Sequence, residues 1–273
     1  MTATPQRNSL LCPNCRRLVS RSAPSCPYCG LSRPGSVFKN NPLSRLVSDE
    51  EALFRLILGA NITMFVLSLL VVPQGGALSP SSESLFVLGA SGSMPVFAAG
   101  RWWTLISANY LHGGLLHIVF NMVALYNLAP LLIKEYGASR MVVIYTLSGI
   151  ISFLVSAVAG VPLTIGASGA VCGLIGAALY FGKSRGGTYG RVVFSQLGSW
   201  MVGIFLFGFL VPGINNWGHG GGLVAGALVG YLLGYRERRQ ERFSHRLLAV
   251  ACLVITGLAL GWSVVNAVDY LLL

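Results

Sequence analysis

The sequence predicts an all-α polytopic membrane protein with seven spans, preceded by a small cytoplasmic metal module. Three observations lead there. The chain is 54% hydrophobic and only 10% charged, whereas a soluble domain carries about 25% charged residues. Seven apolar segments follow a polar start. The basic residues fall almost entirely in alternate connections between those segments. The net charge of +11 is therefore spread over several loops and forms no single basic face, so nucleic acid is not an expected partner. Neither an internal repeat nor a low-complexity tract interrupts the pattern.

Residues 1–34 are polar, basic and rich in proline. No apolar run of signal type lies in the first 50 residues, so no secretory leader is expected. Two C-x-x-C knuckles, Cys12/Cys15 and Cys26/Cys29, can set four thiolates around one tetrahedral Zn2+. Gly30 lets the second knuckle turn its amides toward the sulfurs. The competing reading is two disulfides or free thiols. A reducing cytoplasm favours the metal. The expected module covers 8–34, has little core of its own, and folds on the metal. With no ligand position left open, its role is docking of a protein partner or regulation rather than catalysis. Residues 35–50, with Pro34-Gly35 and Asn40-Asn41-Pro42, read as a linker.

The apolar segments run over about 53–72, 104–133, 140–160, 168–182, 192–211, 219–235 and 247–268. Spanning takes about 20 apolar residues, fewer where a helix is short or partly sunk. The fourth is short. The second starts early, which suggests an interfacial stretch before the span. Segments one to six make a core over 51–240, and the seventh is an addition at 247–268.

Eight Lys and Arg lie in the N-terminal region up to Arg55. Lys134 and Arg140 follow segment two, Lys183, Arg185 and Arg191 follow segment four, and Arg236, Arg238, Arg239, Arg242 and Arg246 follow segment six. Only Arg101 lies on the other side. The positive-inside rule makes the crowded side cytoplasmic. The N-terminus is then inside and the C-terminus outside, with the protein a multi-pass resident of the cell membrane, in contact with the lipid bilayer.

In that topology segments two, four and six run from outside to inside. Their first halves share the outer leaflet, and they carry His112, His117, Asn121, Ser168 and His219. The fourth histidine, His245, falls in a basic loop and reads as solvated. Polar groups inside a membrane are costly and point to function. Counting helix rise from the cytoplasmic ends puts Ser168 about 22 Å up, His219 about 25 Å, and His117 and Asn121 about 26 and 20 Å. The levels agree. Gly222, Gly226, Gly230 and Gly234 repeat every four residues on segment six, and Gly169, Gly173 and Gly176 mark segment four. Small faces let helix backbones approach. A packing role alone would also explain them.

A serine beside a histidine can be a nucleophile beside its general base. Gly166-Ala167-Ser168-Gly169 alone is also compatible with a small-residue packing face. None of the chain's eight acids lies within a helix near His219. A Ser-His dyad is expected, not a triad. The oxyanion formed on attack needs fixed donors. The Ser168 N–H at a helix N-terminus is one, and His117 and Asn121, one turn apart, can add two more. Water can reach the site past the Gly160-Val161-Pro162 connection.

These residues resemble the rhomboid family of intramembrane serine proteases. The resemblance covers about 53–240 and rests on three motifs in order: His112-x4-His117-x3-Asn121, Gly166-x-Ser168-Gly169, and His219-x2-Gly222-x3-Gly226. It implies a six-helix core with a re-entrant first loop at about 73–103 and a seventh helix added at the C-terminus. It implies Ser168 as nucleophile, His219 as base, His117 and Asn121 as oxyanion donors, and His112 in a supporting role. It also implies transmembrane protein substrates cut in or near an unstable span, admitted laterally by movement of the fifth helix and the loop from Pro212 to Gly218. Two departures stand out. Threonine follows the tryptophans in Arg101-Trp102-Trp103-Thr104, where the family often has arginine. Cys172 occupies a position where many members place an aromatic against the catalytic histidine. Cys172 and Cys252 read as core rather than reactive thiols. The rival functional class is an inactive rhomboid-like chaperone or adaptor that binds client helices. Such proteins usually lack the serine or the histidine, and both are present here. A channel or transporter is disfavoured by the lack of intramembrane charge.

Overall fold

A computed structural model describes residues 8–36, 50–73, 76, 78–239 and 241–272. Most of the linker expected over 35–50, including Asn40-Asn41-Pro42, lies outside the described residues. The N-terminal module is a two-stranded antiparallel hairpin, β1 (Ser9–Leu11) and β2 (Leu18–Ser20), in register Leu10↔Val19. Seven long helices follow: α1 (Glu50–Val71), α2 (Leu115–Tyr136), α3 (Ala138–Val158), α4 (Ser168–Arg185), α5 (Gly187–Leu210), α6 (Asn216–Leu233) and α7 (Phe243–Leu272).

The outer surface of the bundle is apolar. Leu70, Val66, Phe209, Leu210, Leu258 and Trp262 are all exposed, while serines and asparagines such as Ser148, Ser152, Ser156 and Asn61 are buried. This inverted distribution is that of a multi-pass membrane protein. α1, α2, α3, α5 and α7 are long and apolar enough to cross a membrane by themselves. α4 and α6, at 18 residues each, are glycine-rich, and they lie against each other in the middle of the bundle. A Cβ on Gly222 would run into the Gly169 carbonyl, one on Gly226 into the Gly173 carbonyl, and one on Gly176 into the Leu223 carbonyl. The small residues on both helices thus face each other, and the two backbones touch. Gly234 does not continue that face: it lies past the end of α6 at φ 70° as its C-cap.

Several basic residues are more than markers of sidedness. Arg140, expected between two spans, sits in the first turn of α3 and is fully buried. It donates to the carbonyls of Tyr136 at the end of α2, Gly234 at the end of α6 (2.6 Å) and Arg239 (2.7 Å). Helix C-termini leave carbonyls unpaired, and a guanidinium has enough donors for several of them. His245, expected to be solvated, is buried in the first turn of α7, where its Nδ1 accepts from the Arg242 N–H at 3.0 Å.

The first loop is built rather than open. It contains a two-turn helix (Ser82–Val87), a π-helical turn (Met94–Ala98), a short helix (Thr104–Ser107) and a 3-10 turn (Ala108–Tyr110). The last two occupy the stretch expected to precede the second span, and α2 itself starts only at Leu115. Arg101, ahead of the tryptophans, anchors this loop. It donates to the carbonyls of Phe86 (3.0 Å) and Val87 (3.2 Å) and lies over the Phe86 and Trp103 rings. Ser91 and Thr164 exchange backbone hydrogen bonds, which ties this loop to the α3–α4 connection. On α7, Ser263 donates to the Leu88 carbonyl at 2.8 Å and so clamps the added helix onto the same loop.

Candidate active site

α4 begins where it does because Gly166 adopts φ 119°, a backbone conformation that side chains disfavour. A Cβ there would also stand 2.6 Å from His117 Nε2. Gly166 is itself held by its N–H to the Ala108 carbonyl at 2.9 Å. Ala167 makes no side-chain cap, so the first amides of α4, at and after Ser168, keep free N–H groups beside the hydroxyl.

α6 begins three residues earlier than its histidine. Asn215 is its N-cap and accepts from the Gly218 N–H at 3.0 Å. His219 therefore lies in the first turn, and its N–H bonds the Asn215 carbonyl at 3.1 Å. With α4 and α6 in backbone contact, the side chains meet. His219 Nε2 lies 3.0 Å from Ser168 Oγ. His219 Nδ1 is buried and has no hydrogen-bond partner. With its hydrogen on Nδ1, Nε2 can accept the serine proton. Among the described residues no carboxylate reaches the imidazole and no aromatic ring covers it; Cys172, one turn after Ser168, is buried and lines the same cavity.

His117 and Asn121 lie on α2, one turn apart. His117 Nδ1 accepts from the Gly113 N–H at 3.3 Å. With Nδ1 accepting, a neutral ring carries its hydrogen on Nε2, the nitrogen that lies beside Gly166. Asn121 Nδ2 donates to the His117 carbonyl at 2.9 Å and retains a second hydrogen. His112 is not on α2, contrary to its expected place on the second helix. It precedes the helix, since Gly113 and Gly114 break the chain before Leu115. It is fully buried and packs edge-on against His117, with ring centroids 5.0 Å apart. Gly169, Gly222 and Gly226 serve the helix approach described above.

Ser168, His219, His117 and Asn121 all line one cavity of about 770 Å3. One side of its wall comes from Trp200, Gly203, Ile204 and Phe207 of α5 and from Pro212 to Asn215. α5 buries Gly190, Val193, Leu197 and Met201, all in its first two-thirds. Beyond them Val202, Leu206, Phe209 and Leu210 are exposed.

A family model of the rhomboid domain matches residues 99–236. That is just over half of the chain and includes every residue of the cavity's polar wall. The chain belongs to the rhomboid family. It is 33% identical over 207 residues to rhomboid protease GluP of Bacillus subtilis (strain 168), covering 76% of this chain and 39% of that protein. It is 31% identical over 209 residues to RHOMBOID-like protein 6, mitochondrial, of Arabidopsis thaliana, covering 67% of each. RHOMBOID-like protein 4 of the same plant is 32% identical over 158 residues, with 57% of this chain and 40% of that protein covered. The chain thus spans about two fifths of the length of GluP and of RHOMBOID-like protein 4.

The rhomboid chain carries a second constellation outside that domain. Cys12, Cys15, Cys26 and Cys29 bring their sulfurs within 4.8 Å of one another and can hold a metal ion. Cys12 and Cys29 sulfurs are 3.7 Å apart, and Cys15 and Cys26 sulfurs 3.6 Å. A tetrahedron with Zn–S bonds of about 2.3 Å has edges of about 3.8 Å, so the thiol set fits zinc. The two knuckles repeat one turn: the Arg16 N–H bonds the Cys12 carbonyl and the Gly30 N–H the Cys26 carbonyl, both at 2.9 Å. Both turn residues have positive φ, 56° and 71°. Burial pushes the Cys12 thiol up to about 12, with the Cys15 and Asn14 amides opposing. Burial raises Cys26 too, but the Tyr28 and Cys29 amides and the neighbouring thiols outweigh it, and it falls to about 7.

Sequence reading missed Asn215 as the cap of α6, although an asparagine just before an apolar helix is a start signal. It also missed Thr164, Ser152 and Ser156 as polar neighbours of the site. Small hydroxyl residues in a membrane helix or in the connection between two such helices carry no distinguishing pattern.

Proposed function

We propose that this rhomboid protein is an intramembrane serine endopeptidase that hydrolyses a peptide bond in or near the transmembrane segment of membrane protein substrates. The observation that carries the proposal is the 3.0 Å approach of His219 Nε2 to Ser168 Oγ within a family-matched core. His219 takes the Ser168 proton as the oxygen attacks the substrate carbonyl carbon. The oxyanion is held by the Ser168 N–H, His117 Nε2–H and the free Asn121 amide hydrogen. His219 then gives its proton to the leaving amine. Water, deprotonated by His219, then attacks the acyl carbon, and the ester bond to Ser168 Oγ breaks as Oγ takes the proton back from His219. The lightly packed end of α5 supports lateral access of the substrate helix to the cavity.

The same proposal assigns 8–34 as a zinc-ribbon-like module, 35–50 as linker, 51–240 as the protease core and 247–268 as the added span. Cys12, Cys15, Cys26 and Cys29 would hold a structural Zn2+, which supplies cross-linking of the two knuckles and takes no part in hydrolysis. The basic-loop asymmetry supports a cytoplasmic N-terminus, an extracytoplasmic C-terminus and a site in the outer leaflet of the cell membrane.

The test is cleavage of a model single-span substrate by the detergent-solubilised protein. Wild type is expected to cut it, while Ser168→Ala and His219→Ala abolish cutting. Asn121→Ala is expected to lose about 10²–10³-fold, as for one oxyanion donor. Equal cleavage by wild type and Ser168→Ala, or client binding by both without cleavage, refutes the protease reading.

A further inference from the structure

We infer that Asn215 and Thr164 form a bridge that sets the distance between the two catalytic side chains. Thr164 precedes Ser168 by four residues, and Asn215 precedes His219 by four. Asn215 Nδ2 donates to Thr164 Oγ1 at 3.2 Å. The inference rests on the Ser168–His219 reading and makes Asn215 and Thr164 positioning residues for it.

The Asn215 amide is fully used, and each of its bonds goes to a different element. Nδ2 gives its other hydrogen to Ser156 Oγ on α3 at 2.6 Å. Oδ1 caps α6 at the Gly218 N–H. Its backbone carbonyl takes the His219 N–H. On the other side, Thr164 is fixed by its backbone pair with Ser91, at 2.6 and 3.0 Å. Only its hydroxyl faces Asn215. The bridge therefore joins the chain entering α4 to the cap of α6 through one hydrogen bond, at the wall of the catalytic cavity. Below the dyad the α4–α6 distance is fixed by glycine contacts. At the open end, where the two side chains must meet, this bond takes their place. Among the described residues nothing hydrogen-bonds His219 Nδ1, so the position of the α6 cap bears directly on where Nε2 lies.

The test separates placement from folding and from substrate binding. Thr164→Val keeps shape and the backbone pair with Ser91 but removes the acceptor. Thr164→Ser keeps the acceptor. Asn215→Ser can still cap α6 but is too short to span to Thr164. The assay measures kcat and KM on a single-span substrate and the rate at which a fluorophosphonate labels Ser168. Thr164→Val is expected to lower kcat and the labelling rate about 10- to 100-fold, with KM and thermal midpoint near wild type. Thr164→Ser should restore both rates. Asn215→Ser loses the bond to Ser156 as well as the bond to Thr164, so the Thr164→Val/Asn215→Ser double variant should be no slower than Asn215→Ser alone, because the bond that Thr164→Val removes is already gone. Wild-type rates in Thr164→Val overturn the bridge. So do a Thr164→Ser variant as slow as Thr164→Val, or losses that multiply in the double variant. If Ser168→Ala cleaves like wild type, the protease reading fails and the bridge falls with it; slow Thr164→Val beside inactive Ser168→Ala supports both.

Discussion

Gly226 of α6 lies directly against the carbonyl of Gly173 on α4, so that the two helices meet backbone to backbone. Among the described glycines none is less tolerant of a methyl group. The contact is two turns below His219 and sets the spacing on which the Ser168–His219 distance depends.

Gly226→Ala is therefore expected to push α6 away from α4. Overpacking of this kind costs about 1–3 kcal/mol, and a shift of about 1 Å at the dyad can cost about 100-fold in rate. The expected outcome is a lowered thermal midpoint together with loss of cleavage. Gly257→Ala on α7, where a Cβ meets nothing within 4 Å, is the control and should be neutral in both. Thermal unfolding in detergent and the cleavage assay read the two effects side by side.

Much of the α4–α6 contact is legible in the sequence, and the reason is periodicity. Glycines four apart on one segment and a matching set on another already describe two facing surfaces. What is not legible is where polar groups end up once chain direction breaks. Sequence alone suggests an interfacial start to the segment from 104 but still puts His112 on the second helix; Gly113 and Gly114 come before that helix starts, and His112 packs against His117 from outside it. A charge count sees only sides of a membrane, and so it leaves Arg140 and His245 in connections between spans. Both are drawn in by backbone groups at helix ends, whose positions depend on elements distant in sequence. The Asn215–Thr164 pair escapes for the same reason, since neither residue has meaning until the loops converge.

Removal of the metal tests the N-terminal module separately. Its core consists of Leu10, Val19, Leu31 and the cysteines, which is too little apolar surface to fold alone. Zinc binding to such modules is worth about 10–16 kcal/mol. Metal analysis should give one zinc per chain, and Cys15→Ser should abolish it. Chelation should expose Arg16, Arg17 and Arg21 to trypsin while leaving the membrane core resistant. A metal-free preparation with an equally resistant module would count against the site.

Arg101 gives the first loop its own test. The guanidinium holds the carbonyls at the end of the Ser82–Val87 helix and lies on two aromatic rings. Arg101→Lys retains charge but loses the planar fork that reaches both carbonyls. Arg101→Lys and Arg101→Ala should each destabilise by about 1–3 kcal/mol. Fluorophosphonate labelling of Ser168 at low temperature should be unchanged, because the guanidinium does not touch the cavity. Intact stability in Arg101→Ala would assign the loop's order to its other ties, the Ser91–Thr164 pairing and the Ser263 bond to the Leu88 carbonyl.

Arg140 makes the strongest stability prediction. Its side chain is fully buried and ties together the ends of α2 and α6 and the connection to α7. Removing it strips three carbonyls of a charged donor. Hydrogen bonds to a charged group contribute about 1.5–3 kcal/mol each, so even strongly non-additive losses leave about 3 kcal/mol for Arg140→Ala. Arg140→Met, which fills the space without donors, separates packing from hydrogen bonding: it should recover little. Arg140→Lys should fall between, since one ammonium cannot match the fork. The site lies at the opposite end of α4 from Ser168. Below the lowered midpoint, surviving molecules should therefore cleave substrate with unchanged kcat. A kcat that falls with stability would instead mean that the two ends of α4 and α6 are coupled through their glycine contact, and the Gly226→Ala variant would then show the same linked loss.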